Sequence, residues 1–314
     1  MKLIVTIPCY NEEENLADVI AEIPRTIPGI DQVEVLILDD GSTDRTVEIA
    51  RESGADYIIQ NEGNKGLATT FKRALWEAVS RGADIVVNTD GDNHYNQSKI
   101  PELIAPLLEK RAEISIGSRK VEELKDMPFL NKYLNQLGSF IMTSWVGMPR
   151  YDVSTGFRAY SREAALKLGV YSLHTYVHTT LMSAQDLHLT ITEVPILARK
   201  VTRKSRLIKN IPDHMWKAGT NILRNVVIFR PMRFFGWIAL ALAIVGVIPV
   251  VRFLYFLAIG EGDGHVQSLI LSGVVIILSF NSLMLGLLGT TLGWIRKIQE
   301  DQLYLTKKQF LNDK

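Results

Sequence analysis

Ala83-Asp84-Ile85-Val86-Val87-Asn88-Thr89-Asp90-Gly91-Asp92-Asn93-His94-Tyr95-Asn96 is an apolar run that passes directly into two carboxylates one residue apart. The run reads as a buried strand, and the acids fall at its C-terminal end. Like charges this close call for a cation, and carboxylate oxygens suit hard ions such as Mg²⁺ or Mn²⁺. Mg²⁺ is usually held by one or two carboxylates together with substrate phosphates. Metal-assisted handling of a diphosphate is therefore the chemistry to test. A solvated turn rich in Asp, Asn and Gly explains the same residues, so the surrounding chain has to decide.

Upstream, the same pattern repeats. Lys2 to Ile7 bunches β-branched residues as a buried strand and leaves through Pro8-Cys9-Tyr10-Asn11-Glu12, after which Glu13 to Ile23 is amphipathic. Gln32 to Leu38 is a second strand ending in Asp39-Asp40-Gly41-Ser42-Thr43-Asp44, with Ser42 or Thr43 placed to cap a helix from Arg45 to Ser53. A strand at Asp56 to Gln60 leads into Asn61-Glu62-Gly63-Asn64-Lys65-Gly66 and a helix from Leu67 to Ser80. Strands alternating with helices predict βαβ units, a doubly wound, mainly parallel α/β sheet, and a ligand crevice outside the carboxyl ends of its strands. Every polar cluster falls at such an end. A dinucleotide fold would share this layout, but its first βα turn is glycine-rich, and Pro8 to Glu13 holds no glycine.

Further along, Ile100 to Lys110 reads as a helix and Ala112 to Ile116 as a strand ending at Gly117-Ser118-Arg119-Lys120. Met127 to Met148 is amphipathic, fitting either core packing or a face against lipid. Asp152 to Tyr160 precedes a helix from Arg162 to Leu168, and Leu189 to Leu197 is a last strand.

With 35 basic and 34 acidic residues the formal net charge is +1, which gives no bulk attraction for nucleic acid. The single cysteine, Cys9, excludes an internal disulfide, and no Cys/His spacing suits zinc. The apolar excess lies in the C-terminal third, where Phe234 to Ile259 and Ser268 to Ile295 each exceed the roughly 20 residues that span a bilayer. Arg224, Arg230 and Arg233 precede them and Arg296, Lys297, Lys307 and Lys308 follow, so the positive-inside rule puts both ends in the cytoplasm. Residues 211–233 read as an interfacial helix. The expected organisation is a catalytic domain at 1–210, the interfacial helix at 211–233, two transmembrane helices within 234–295 and a cytoplasmic tail at 296–314.

Seven blocks, Ile7-Pro8-Cys9-Tyr10-Asn11-Glu12, Leu38 to Asp44, Asn64-Lys65-Gly66, Asp90-Gly91-Asp92, Gly117-Ser118-Arg119, Thr155-Gly156-Phe157-Arg158 and Glu193-Val194-Pro195-Ile196, together resemble family-2 glycosyltransferases of the GT-A fold, in particular the dolichol-phosphate mannose or glucose synthase group. The resemblance implies that Pro8, Tyr10, Glu12, Asp39 and Lys65 hold the donor nucleotide, with Asp90 and Asp92 binding a divalent metal, Mg²⁺ or Mn²⁺, on the donor diphosphate. His94 stands where such synthases often carry a Gln metal ligand. Arg119 and Arg158, with Arg203, Ser205 and Arg206 of the basic run Arg199 to Arg206, match the acceptor-phosphate side. Relatives often carry an acid near Tyr176 to Leu181, where this chain has Thr179; His178 or Asp186 are the substitutes on offer.

The expected activity is inverting transfer of a sugar from a nucleotide-sugar to a polyprenyl or dolichyl phosphate at the cytoplasmic face of a cell or ER-type membrane, by a multi-pass protein. Two alternatives stay open. One is extension of a lipid-linked saccharide at a hydroxyl, and the other a non-catalytic nucleotide-binding membrane scaffold. The oligomeric state, a homo-oligomer included, is open too.

Overall fold

The computed structural model describes residues 1–118, 151–153, 155–170, 176–196, 199, 219–220, 223–224, 226–260 and 266–313. The expected amphipathic stretch at 127–148 lies outside them, as do residues 211–218, 221–222 and 225 of the expected interfacial helix. The chain divides into two compact units. One contains the sheet together with residues 300–314, and the other contains the two long apolar helices up to residue 299.

In the first unit, strands β1 (Lys2–Cys9), β2 (Gln32–Asp39), β3 (Tyr57–Gln60), β4 (Ile85–Asn88), β5 (Ile114–Ser118), β6 (Arg158–Ser161) and β7 (Ile191–Pro195) form one sheet. Their order is β3-β2-β1-β4-β6-β5-β7. All neighbours are parallel except β6, which is antiparallel to both β4 and β5. This is the mixed, mainly parallel sheet the sequence predicts, with one strand unread. Arg158-Ala159-Tyr160-Ser161 has no apolar run to announce it.

Central strands such as β1 are apolar on both faces because helices cover both. Leu3, Val5 and Ile7 join Val33, Val35, Ile37, Ile85 and Val87 in one core layer with Leu16, Val19 and Ile20 of α1 (Leu16–Ala21) and Ile100, Leu103 and Ile104 of α4 (Ile100–Leu108). Alternation turns Ile4, Leu36 and Leu38 to the other face, where α3 (Leu67–Ser80) buries Phe71, Ala74 and Ala78. The bounds of α3 match the predicted ones. The helix after β2, α2 (Thr46–Glu52), is started differently: neither Ser42 nor Thr43 caps it, and Asp44 Oδ1 accepts from the Thr46 N–H at 3.0 Å instead. Ser42 is drawn off because its hydroxyl accepts from the Asn11 N–H at 2.9 Å.

Two further helices among the described residues of the unit are α5 (Arg162–Lys167) and α6 (Val177–Asp186). Residues 304–310 pack on α3 and α5: the Tyr304 hydroxyl donates to Glu163, Lys307 Nζ donates to the Leu166 carbonyl at 3.3 Å, and the Phe310 and Trp76 rings lie 5.8 Å apart.

The second unit is built on α7 (Pro231–Ala258) and α8 (Val266–Asn312), both long and apolar enough to cross a membrane by length and composition. The 28 residues of α7, at about 1.5 Å each, exceed the roughly 30 Å hydrocarbon core. Small residues bring the pair together. Ser279 Oγ donates to the Ala239 carbonyl at 2.7 Å, Ser282 Oγ to that of Phe235 at 3.0 Å, and Ser272 to that of Gly246. Gly246 faces Ile276 and Gly289 faces Pro231 so closely that a β-carbon would fall 2.8 and 2.6 Å from the facing side-chain carbons. Close approach through small residues, with hydroxyls satisfied across the interface, is the packing expected where no hydrophobic drive separates helices from lipid. The outward surfaces of both helices remain apolar and exposed.

Candidate functional site

The carboxyl ends of β1 to β4 deliver four loops to one edge of the sheet, and the loops are stitched together. In the first, Asn11 takes a left-handed conformation (φ 56°) and its Oδ1 accepts from the Thr43 N–H at 2.9 Å, while Glu12 N–H donates to Thr46 Oγ1 at 2.8 Å. The second is closed by Asp39, 1% exposed, whose carboxylate accepts from the Ser42 N–H at 3.1 to 3.2 Å. Gly91, between the two acids, lies against Cys9 and Glu12: a β-carbon there would be 3.2 Å from Cys9 Sγ and 3.4 Å from Glu12 Cγ. Burial pushes the Cys9 thiol well above its ordinary pKa, with Glu12 next in effect, so it is packing here and not a thiolate.

Of the residues expected on the donor side, Pro8 is buried and Tyr10 is 41% exposed beside it, Glu12 and Asp39 line the first two loops, and Lys65 stands exposed on the third. Asp90 and Asp92 follow β4 on the same edge. Asp92 Oδ1 accepts from the His94 N–H at 3.1 Å. The His94 ring stands edge-on to Tyr95, with centroids 5.0 Å apart.

Beneath Asp90 lies a buried polar knot that the sequence did not announce. Asn88, fully buried, donates from Nδ2 to the Gly156 carbonyl and to the Tyr176 hydroxyl, both at 2.9 Å, and accepts from Thr6 Oγ1 at 3.3 Å. Tyr176 is stacked on Phe71 at 3.8 Å, and Tyr95 on Phe157 at 5.3 Å. The Tyr95 hydroxyl accepts from the Gly156 N–H at 3.0 Å. A polar residue closing an otherwise apolar strand was the available signal for Asn88.

On the acceptor side, Arg119, Arg203, Ser205 and Arg206 lie outside the described residues. Arg158 is placed differently from its expected phosphate-contacting role. It is fully buried, and its guanidinium donates to the Val177 carbonyl at 2.8 Å, Thr180 Oγ1 at 2.9 Å and the Val153 carbonyl at 3.1 Å. Arg158 stands opposite the equally buried Asn88 in the pairing of β6 with β4. Arg199, the first residue of the basic run, is likewise engaged: it pairs with Glu22 at 2.7 Å and with Asn93 Oδ1 at 2.6 Å, and its N–H donates to the His94 carbonyl at 2.9 Å.

Thr179 is buried in the first turn of α6, its hydroxyl donating to the Tyr176 carbonyl at 3.1 Å, while Asp186 closes the other end of that helix. His178, partly open at its edge but densely surrounded, has its pKa pushed down to about 4 by burial and then by Arg158. At neutral pH it is an uncharged imidazole.

Whether a metal fits is a question of donor chemistry. Among the described residues no group of three or more His, Cys, Asp or Glu side chains is gathered to hold an ion. What Asp90 and Asp92 offer is two carboxylates, hard oxygen donors that suit Mg²⁺ or Mn²⁺ when a diphosphate and water complete the shell. That is a fit for an ion arriving with a phosphorylated ligand rather than for a closed protein cage.

The model of the glycosyl transferase family 2 matches residues 4–169, the stretch that runs from within β1 through β6 and holds both acids. The chain belongs to this family. Among its relatives is the dolichol-phosphate mannosyltransferase of Pyrococcus furiosus, 33% identical over 172 residues, which are 52% of this chain and 47% of that protein. The chain thus spans about half the length of that relative. The UDP-N-acetylglucosamine–dolichyl-phosphate N-acetylglucosaminyltransferase of Methanococcus voltae is 31% identical over 218 residues, 62% of this chain and 85% of that protein. Among solved structures, glucosyl-3-phosphoglycerate synthase from Mycobacterium tuberculosis, in complex with Mn²⁺, UDP-glucose and phosphoglyceric acid, superposes with a TM-score of 0.56 at 22% identity, covering 72% of this chain and 78% of that one. At that identity the likeness concerns the fold alone.

Proposed function

We propose that this family-2 protein is a membrane-associated transferase that moves a sugar from a nucleotide-sugar to a polyprenyl or dolichyl phosphate, with inversion, at the cytoplasmic face. The observation that carries the reading is the convergence of the β1 to β4 loops and the Asp90/Asp92 pair on one edge, in a chain that also bears two helices of membrane-spanning length. The names of the relatives support the substrate class.

Asp90 and Asp92 would hold Mg²⁺ or Mn²⁺, whose chemistry is to offset charge on the departing diphosphate. The exposed ring of Tyr10 and the loops of Glu12, Asp39 and Lys65 receive the nucleotide. A phosphate monoester is already an anion at neutral pH, so it attacks the anomeric carbon without a strong general base, and Thr179 where a carboxylate would serve a hydroxyl acceptor accords with that. What the acceptor needs is fixed cations, a role we assign to Arg119, Arg203, Ser205 and Arg206. Arg158 acts by holding the start of α6 and the Val153 segment. Arg224 and Arg230 before α7, Arg233 in its first turn, and Arg296 and Lys297 in the second half of α8 favour a cytoplasmic placement of both ends.

The test offers labelled UDP-, GDP- and dTDP-sugars with polyprenyl phosphate and Mn²⁺ to the purified full-length protein. Acid-labile label in the lipid extract is expected. No labelled lipid from any donor would reject the reading, and acid-stable label would identify a hydroxyl acceptor instead.

A further inference from the structure

We propose that Asp40 is a positioning residue for the nucleotide-sugar donor, holding the Asn64-Lys65-Gly66 turn and the start of α3 in the shape that receives it. The inference rests on the donor-binding reading of this edge and adds a residue that never touches the ligand.

Asp40 directly follows β2 and is 4% exposed, and no ion pair joins it among the described residues. Its carboxylate is spent on one segment that lies 21 to 30 residues downstream. Oδ1 accepts from Asn61 Nδ2 and the Lys65 N–H, both at 2.9 Å, and from Thr70 Oγ1 at 2.8 Å. Oδ2 accepts from the Gly66 N–H at 2.9 Å, a proton shared with Asn64 Oδ1 at 3.0 Å.

The segment needs this support. Gly66, the residue before α3, has φ 88° and no side chain with which to cap the helix, and the first turn of α3 carries no acid. From the end of β2, Asp40 places a negative charge beside the helix start and accepts the N–H of the cap residue itself, Gly66, and of Lys65 before it. Backbone contact reinforces the arrangement. A β-carbon on Gly41, itself at φ 76°, would lie 2.6 Å from Gly63 Cα, so the loops after β2 and β3 touch with nothing between them. Asn61 carries the tie onward, accepting from Arg73 Nη1 at 2.6 Å and donating its N–H to the Asp39 carbonyl at 2.9 Å. The turn bearing Lys65 is thereby fixed to the loop bearing Asp39, the two flanks of the proposed nucleotide pocket.

Asp40→Asn tests this because Oδ1 can still serve three donors while the new amide sets a donor against the Gly66 N–H. Binding of UDP, GDP and dTDP with Mn²⁺ is measured by calorimetry on the full-length protein, alongside donor and acceptor KM. The variant is expected to bind whichever nucleotide the unaltered protein binds about tenfold more weakly, with donor KM raised and polyprenyl-phosphate KM unchanged. Equal nucleotide affinity, or a fall in kcat at unchanged donor KM, overturns the proposal and leaves the proposed function standing. If the unaltered protein binds none of the three nucleotides, both readings fall. Should Asp40→Asn not fold, Thr70→Val decides, since it removes one of the four bonds within nearly the same volume. A roughly threefold loss of nucleotide affinity is expected there, and an unchanged affinity overturns the proposal.

Discussion

Gly156 lies directly against the carboxylate of Asp90: a β-carbon on it would stand 2.6 and 2.7 Å from the two carboxylate oxygens and 2.8 Å from the Tyr176 hydroxyl. The Thr155-Gly156-Phe157 segment is therefore a wall of the acid site, and its glycine is required by space rather than by backbone conformation. Gly156→Ala must push either Asp90 or Tyr176 aside. Since displacement by about 1 Å can cost on the order of 10²-fold in rate, turnover is expected to fall by that order, with the melting temperature lowered by only a few degrees. Retained turnover would show that Asp90 has slack in its position.

Asn88 concerns stability more than chemistry. Asn88→Leu keeps the branching of the side chain but leaves the Gly156 carbonyl and the Tyr176 hydroxyl without their Asn88 donor, while Thr6 Oγ1 keeps its bond to the Val87 carbonyl. Leaving such groups unsatisfied costs about 2–3 kcal/mol in total, or roughly 5–10 °C in melting temperature for a unit of this size. Thermal denaturation followed by circular dichroism in detergent measures it, and a loss under about 1 °C would mean that water or relaxation replaces the bonds.

His178 predicts a pH dependence with a definite sign. Its pKa is about 4 in the folded protein against about 6.5 in an unfolded chain, so between these values the unfolded state binds more protons. Stability from this group is complete above pH 6.5 and declines as pH falls toward 4, by up to about 3 kcal/mol. Denaturant melts from pH 7.5 to 4.5 should show His178→Gln with a shallower decline than the unaltered protein. Parallel curves would place the acid sensitivity elsewhere.

In the helical hairpin, contact distance should matter more than hydrogen bonding. Gly246→Ile drives a β-carbon to within 2.8 Å of Ile276 and is expected to cost about 1–3 kcal/mol as overpacking. Ser279→Ala, which deletes the bond to the Ala239 carbonyl, should cost only about 0.6 kcal/mol. Thermal aggregation in detergent ranks the two, and the reverse order would make the serine ladder the principal tie.

Much of the sheet was legible because its signals are local. Apolar runs marked six of the seven strands, and the bounds of α3 were read to the residue from its periodicity between Gly66 and Ser80. β6 escaped because Arg158-Ala159-Tyr160-Ser161 is too short and mixed to show a period. It is a strand only because β4 and β5 present open edges on either side of it.

The sequence by itself determined that strand-end polar clusters would share one edge and that the last third would form two long apolar helices, since alternation and hydropathy are properties of neighbouring residues. Only the tertiary structure decided which polar groups face that edge and which hold it up. Asp39 and Asp40 are the same residue type at adjacent positions, yet one closes its own turn and the other supports a turn 25 residues away. Arg158 looks like a phosphate ligand in the chain and is a buried brace in the fold. The reason is physical: a charged side chain satisfies whatever acceptors or donors surround it, and those are set by pairing between distant strands.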